Sequence, residues 1–268
     1  MPPSEIKKEA RASLKGKLGK AFCITLVFLA FSLIVGFILG FLEEDSTIYN
    51  IIDFAFLVIE VPLSFGLLIA LMKLKRDEEV NAFYPFKEGF SRFGKSWGIW
   101  FHTFIRLILP IICLVLVTLL MATLGVANIL TKLNLVLTLL GIALFIATII
   151  YVACRALLYV LAYNVCYDNP ELSSKDCVLK SAELMKGNRG NYLLLGLSFI
   201  GWILLLVVVF SLGTSLLVAL LGYFGFLLAY ALMIIGMSFL MLYMQLATIC
   251  FYERVVHSKS EPTEKVKE

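Results

Sequence analysis

From Asn191 to Tyr252 the chain runs for 62 residues without one Asp, Glu, Lys, Arg or His, whereas about 20 apolar residues suffice to cross a bilayer. A backbone surrounded by hydrocarbon has no water to bond with, so such a run has to close its hydrogen bonds as helix. The stretch predicts two spans, about 192–212 and about 225–252, with Gly213-Thr214 and Gly222-Tyr223 marking the uncertain boundary between them. Four further apolar runs meet the same criterion: Ala21–Leu42, about Ile51–Met72, about Gly98–Gly125 and Leu133 to about Tyr159. Composition agrees, with 61% hydrophobic and 16% charged residues against about 25% charged in soluble domains. A water-soluble globule is excluded. The expected fold class is an all-α polytopic membrane protein with six transmembrane helices.

The 23 basic and 19 acidic residues give a net charge of only +4, but the bases are sorted. Six precede the first span, six lie between the second and third, five run from Arg155 at the end of the fourth span to the fifth and four follow the last, leaving only Arg106 and Lys132. The opposite loops hold Glu43, Glu44, Asp45 and Asp53. The positive-inside bias then predicts both termini in the cytoplasm. The first run is too long for a signal-peptide core and lacks a small-residue cleavage pattern before Glu43, so a retained span is expected. Residues 258–268, polar and containing Pro262, read as a loose cytoplasmic tail. No lipidation motif is evident, no cysteine pair has metal-site spacing, and disulfides are not expected.

Three basic segments stand before the first, third and fifth spans. Ile6, Ala10, Leu14 and Leu18 recur every four residues among Lys7, Lys8, Arg11, Lys15 and Lys17, the pattern of a basic amphipathic helix. Its stripe suits either the headgroup plane, with the lysines near anionic lipid, or packing on the protein's own spans. Phe86, Phe90, Phe93, Trp97 and Trp100 share one helical face among Lys87, Arg92 and Lys95, which suggests a second interfacial helix, aromatic rings favouring that depth. A nucleic-acid stacking platform is the weaker reading, because lipid or protein would occupy that face. Ser173 or Ser174 can cap a third helix carrying Val178, Ala182 and Met185 and ending at Gly187. Leu14-Lys15-Gly16-Lys17-Leu18-Gly19-Lys20 parallels Met185-Lys186-Gly187-Asn188-Arg189-Gly190-Asn191, with Phe93-Gly94-Lys95 in the corresponding middle position. The expectation is one six-span domain, 1–257, built of three units at about 4–72, 83–160 and 172–252, each a cytoplasmic amphipathic helix followed by a transmembrane hairpin. Parallel repeats occur in transporters, yet a shared insertion route would also place a basic helix before every outward-going span.

Tyr167-Asp168-Asn169-Pro170, Ser181-Ala182-Glu183-Leu184-Met185-Lys186-Gly187-Asn188, Leu197-Ser198-Phe199-Ile200-Gly201-Trp202 and Phe251-Tyr252-Glu253 follow one another in the order and spacing of a known signature set. Together with Lys8-Glu9-Ala10-Arg11 and Leu14-Lys15-Gly16, they make the chain resemble the bacterial membrane-protein family called domain of unknown function 975 over nearly its whole length. The family's Pro-Gly pair in the fourth span is missing around Ile149–Ala153, as is its proline near Tyr223, so any kinks they provide are not expected. The family is similar to the membrane portions of some glycerophosphodiester phosphodiesterases. That likeness implies residence in the bacterial cytoplasmic membrane and carries over no catalytic residues. Physically, Asp168-Asn169-Pro170 reads as a turn, Lys186-Gly187 as a helix end, and Gly201 with Gly196 and Ser198, beside Trp202, as a small-residue face for close helix approach.

Chemistry inside the spans is sparse. Glu60 lies 13 residues before Lys73, about 20 Å along a helix, and Arg106 lies 11 residues after Lys95, about 16 Å. A buried charge in the bilayer costs a few kcal/mol unless paired or wetted, so these two are expected to face the interior and to pair. His102 lies one turn before Arg106, and Pro62 and Pro110 stand nearby. Glu60, His102 and Arg106 therefore form either a structural cluster or a polar intramembrane site of the kind that broken helices build in carriers. Ser32, Gly36 and Gly40, and Gly225 with Ala229, are spaced for close helix contact, either within the chain or in a homodimer; the oligomer is left undetermined. No metal set, phosphate loop or nucleophile elbow is complete, and no cofactor is implied. The expected role is a non-catalytic accessory or binding protein engaging lipid, an amphiphilic peptide or a membrane-protein partner. A small-solute or lipid transporter using the Glu60 level is the alternative, and a membrane-embedded enzyme the third.

Overall fold

The computed structural model describes residues 2–131 and 135–260, with side chains described over 2–123 and 139–259. Lys132, the first residues of the expected fourth span and the tail beyond residue 260 lie outside the described residues. Among the described residues there are helices and turns and no strand. The helices are α1 (Pro3–Ser13), α2 (Leu18–Leu39), α3 (Thr47–Lys75), α4 (Tyr84–Ser91), α5 (Phe93–Thr131), α6 (Leu135–Ala156), α7 (Ala162–Asp168), α8 (Ser174–Met185), α9 (Arg189–Leu221) and α10 (Tyr223–Ser260), with a short 3₁₀ turn at Leu157–Tyr159. Six stretches are long and apolar enough to cross a membrane: α2, α3, Phe93–Thr123, Leu139–Asp168, α9 and Tyr223–Lys259. This is a multi-pass membrane protein.

The chain divides into two compact units, Met1–Trp97 with Gly190–Glu268, and Gly98–Arg189. In the first unit α2 packs on α3 and α10, α1 on α10, and α4 across α3. The core is the second half of α3, where almost every residue from Val61 to Met72 is buried. Two proline–glycine pairs make the α3–α4 crossing. A Cβ on Gly66 would overlap the Pro85 carbonyl, and one on Gly89 would lie 2.5 Å from the Pro62 carbonyl oxygen. Each glycine thus receives the backbone beside the other helix's proline. Pro62 does not break α3. Its missing N–H frees the Val58 carbonyl, which accepts a 3.1 Å hydrogen bond from the Trp97 indole N–H.

In the second unit α7 packs on α8, burying Leu161, Val165 and Cys166 with Cys177, Val178 and Met185. Where the chain tightens at Leu157–Tyr159, the buried Ser181 hydroxyl donates to the Leu158 carbonyl at 2.9 Å. Asn169 ends α7, its amide donating back to the Val165 carbonyl at 2.8 Å and its side-chain oxygen accepting from Lys180 Nζ at 2.7 Å. Ser173 caps α8 by accepting from the Asp176 backbone N–H at 3.2 Å.

Several boundaries differ from those read in the sequence. The Ile6–Leu18 stripe is divided between two helices, because Gly16 turns the chain with φ +81°. The aromatic stripe is likewise split by Arg92, which ends α4 outside helical geometry (φ −112°, ψ 25°) before α5 begins. The fifth span continues through Gly213 to Leu221, and the turn falls at Gly222 (φ +57°). Gly225 accommodates the Leu217 carbonyl where a Cβ would overlap it, whereas Gly36, Gly196 and Gly201 have nothing within 4 Å of a Cβ. Close approach is made elsewhere than most small-residue spacings indicated. α10 also runs three residues into the expected tail.

Gly66→Ala is expected to destabilise the protein by about 1–3 kcal/mol through backbone overlap with Pro85. Gly94→Ala, where nothing lies within 4 Å, is expected to hold or slightly raise stability. Thermal unfolding of both variants in detergent checks the pair.

Candidate functional site

The site is built on α1 and the surface it borders in the first unit. Ile6 and Ala10 are fully buried, so this part of the stripe packs on protein. Charge holds the helix in place. Glu9 accepts from Arg254 Nε at 2.7 Å and lies 3.5 Å from Lys75 Nζ; Glu5 pairs with Arg254 at 3.0 Å. Lys75 also pairs with Glu253, which Arg76 approaches at 3.9 Å. The result is a continuous network of three acids and three bases joining α1, α3 and α10. The Lys75 side chain is only 12% exposed, so losing a carboxylate there would strand a nearly buried ammonium.

On the next face of α1, Lys7 Nζ donates to the Ser198 carbonyl at 2.7 Å and sits 4.2 Å over the Phe199 ring. Burial, and then the neighbouring Arg11 charge, push the Lys7 ammonium below its ordinary value. Arg11 Nε donates to the Tyr243 hydroxyl at 3.0 Å. Among the described residues no carboxylate lies within 4 Å of its guanidinium. Arg11 and Tyr243 stand at the rim of a groove of about 530 Å³, lined among others by Leu14, Leu18, Trp202, Leu206, Phe239 and Leu240. Its volume is within the range of small-molecule sites. Its chemistry is an apolar trough with one cation at its edge.

Of the residues singled out in the sequence, Arg11, Leu14, Leu18 and Trp202 line the groove, whereas the intramembrane polar candidates and the turn residues do not. Glu60 is half-buried on α3 of the first unit, and its carbonyl accepts from the Ser64 hydroxyl at 2.6 Å. Arg106 and His102 are half-buried on α5 of the second unit, one turn apart, with Arg106 donating to the His102 carbonyl at 3.0 Å. α5 continues through a buried Pro110. Asp168, Asn169 and Pro170 form the α7–α8 connection, and Lys186 with Gly187 (φ +82°) forms the α8–α9 turn. Gly201 is exposed on α9, while its neighbour Trp202 lines the groove. Sequence reasoning missed the Glu5, Glu9, Lys75, Glu253 and Arg254 network. Its signal was there: two acids four apart on a basic helix, and an acid–base pair closing the last apolar run. Among the described residues no cluster of His, Cys, Asp or Glu is grouped to hold a metal ion.

Long apolar helices whose charged ends carry short docked helices define the class, an α-helical multi-pass membrane protein. Within that class the chain belongs to the family described as protein of unknown function (DUF975), whose model matches residues 1–259. No curated protein and no solved structure matches it.

Glu9→Ala is expected to lower stability by about 2 kcal/mol, and Lys8→Ala, at an exposed position, by no more than about 0.5 kcal/mol. A Glu9→Ala, Arg254→Ala cycle read by unfolding in detergent should be non-additive, because the two share one hydrogen bond.

Proposed function

We propose that the protein is a non-catalytic accessory protein of the cytoplasmic membrane that binds an anionic glycerophospholipid. In this reading both termini are cytoplasmic, the spans form three hairpins, and the short helix before each hairpin lies at headgroup level. The observation that carries the reading is the groove beside α1: apolar along its length, with Arg11 at its rim and no described carboxylate to neutralise that cation. An acyl chain matches the trough, and a phosphate matches the guanidinium. The Lys7 position supports the same polarity, since it adds positive charge beside Arg11. The helix that presents Arg11 is held by its own acids, which pair with Arg254 and Lys75 and not with Arg11.

Protein purified from phosphatidylglycerol-containing nanodiscs and weighed by native mass spectrometry should retain lipid. Arg11→Gln should reduce retention about tenfold, the worth of one charge-assisted hydrogen bond. Gly236→Leu, which places a side chain in the groove toward Leu206, should do the same without altering charge. Unchanged retention in both variants, or solute flux in proteoliposomes that disappears in Glu60→Gln and Arg106→Gln, would overturn the reading. Capture of a stoichiometric protein in place of lipid would overturn it as well.

A further inference from the structure

A second concavity of the first unit has a different character. Lys20, Glu79, Asn81, Tyr84 and Lys87 line a polar cup of about 410 Å³. It shares Lys20, Val80 and Asn81 with an adjoining cleft of about 340 Å³ whose other walls are Gly19, Cys23 and Ala82. Lys20 and Lys87 are exposed, and among the described residues neither has a carboxylate within 4 Å. Lys73, whose ammonium lies 5.4 Å from the Tyr84 ring, is already engaged by Glu78 at 2.9 Å. The cup therefore presents two ammonium groups and one carboxylate, a net single positive charge.

Lys20 directly precedes the apolar run of α2, which sets its ammonium at the depth where phosphates of a bilayer lie. The adjoining cleft is mainly apolar, and its wall includes Cys23, three residues further into α2. A polar cup opening into an apolar cleft at that depth has the form of a phospholipid, headgroup above and chain below. Glu79 narrows the choice. A bare phosphate monoester would be repelled by that carboxylate, so the ligand must bring a hydrogen-bond donor to its side. An ethanolamine headgroup does so but is neutral overall and leaves the cup's charge uncompensated. A glycerol headgroup brings hydroxyl donors and a net charge of −1.

We infer that this cup and cleft bind phosphatidylglycerol. Lys20 and Lys87 hold the phosphodiester, Glu79 accepts from a headgroup hydroxyl, and an acyl chain runs past Cys23. The inference rests on the reading that lipid is what the protein binds, but on none of the residues of the Arg11 groove.

Cys23 is an exposed free thiol and reports on the cleft. The full-length protein is placed in nanodiscs of phosphatidylcholine alone, or of equal parts phosphatidylcholine and either phosphatidylglycerol or phosphatidylethanolamine. Alkylation of Cys23 by a membrane-permeant maleimide is followed by peptide mass spectrometry. Phosphatidylglycerol should slow alkylation about fivefold relative to phosphatidylcholine, the worth of two partly exposed ion pairs, and phosphatidylethanolamine should not. Lys20→Gln, Lys87→Gln should abolish the difference, while Lys175→Gln, Lys186→Gln, which removes equal charge from the second unit, should preserve it. General surface potential gives the opposite sign, since removing lysines makes the surroundings more negative and slows the thiolate further. Equal rates in all three lipids, equal slowing by phosphatidylethanolamine, or slowing that survives the double substitution would overturn the inference. Lys87→Gln alone, expected to remove part of the slowing, serves if the double variant does not fold. Protection of Cys23 that persists in Arg11→Gln separates this site from the groove. Loss of retention in Arg11→Gln with no protection at Cys23 refutes this site alone.

Discussion

Hydrocarbon offers a backbone carbonyl no partner, so every irregularity in a span has to be repaired by the protein itself. The repairs come from the segments beside the spans. Pro62 frees the Val58 carbonyl, and Trp97, near the start of α5, donates to it. The tightened turn at Leu157–Tyr159 leaves Leu158 to be satisfied by Ser181 of α8. The Ser198 carbonyl of α9 receives Lys7 of α1. α1 and α8 thus each send one side-chain donor to a carbonyl of another element, and the start of α5 sends a third. Because each such bond replaces water that is absent, it ties the donor's helix to one register on its partner.

Register matters most for α1, which the buried Ile6 and Ala10 seat on protein and which ion pairs then fix in place. Single ion pairs at this exposure contribute little, typically below about 1 kcal/mol. Here Glu9 serves both Lys75 and Arg254, and Lys75 serves both Glu9 and Glu253, so breaking one link leaves a charge beside another unpaired charge. The arrangement also sorts the helix by sign. Glu5 and Glu9 are turned toward α10 and spent there, and Lys8, Arg11 and Lys15 are left without internal acids among the described residues. Glu5 stays partly exposed within its pair with Arg254, while Lys8 and Arg11 are the exposed bases of the helix.

The spans and their class were legible because hydropathy is a property of contiguous residues. Six long apolar runs with few charges need no tertiary knowledge to be read as helices, and the turns at Gly16 and Gly187 follow from paired local sequence. The groove and the ion network were not legible, because they join α1 to residues about two hundred positions away. Nothing local in Glu9 distinguishes it from Glu43, and only its meeting with Arg254 gives it a role. Periodicity also misled where it continued across a helix break. Ile6 and Ala10 are buried by docking, while Leu14 and Leu18, on the same nominal stripe, lie past the end of α1 and line the groove. The small-residue spacings located the approach at Gly225 but not those at Gly66 and Gly89, which pair with prolines and match no small-residue repeat.

The two matching turns show how one backbone path is given two uses. Gly16 and Gly187 adopt the same left-handed conformation, φ +81° and +82°, in segments that align residue for residue. In the later turn Met185 is fully buried and the Asn188 amide donates to the Leu184 carbonyl at 3.1 Å, so the side chains close the turn on itself. In the earlier one the residue aligned with Asn188 is Lys17, which reaches out to the Leu74 carbonyl at 2.8 Å and Asp77 at 2.6 Å. That outward anchor frees the rest of the turn. Leu14 and Leu18 fall to the groove, and Gly19 and Lys20 to the cleft and the cup. Leu14, Leu18, Gly19 and Lys20 therefore stand between two concavities of the first unit, on a turn whose Lys17 bonds outward where the aligned Asn188 bonds back to its own helix.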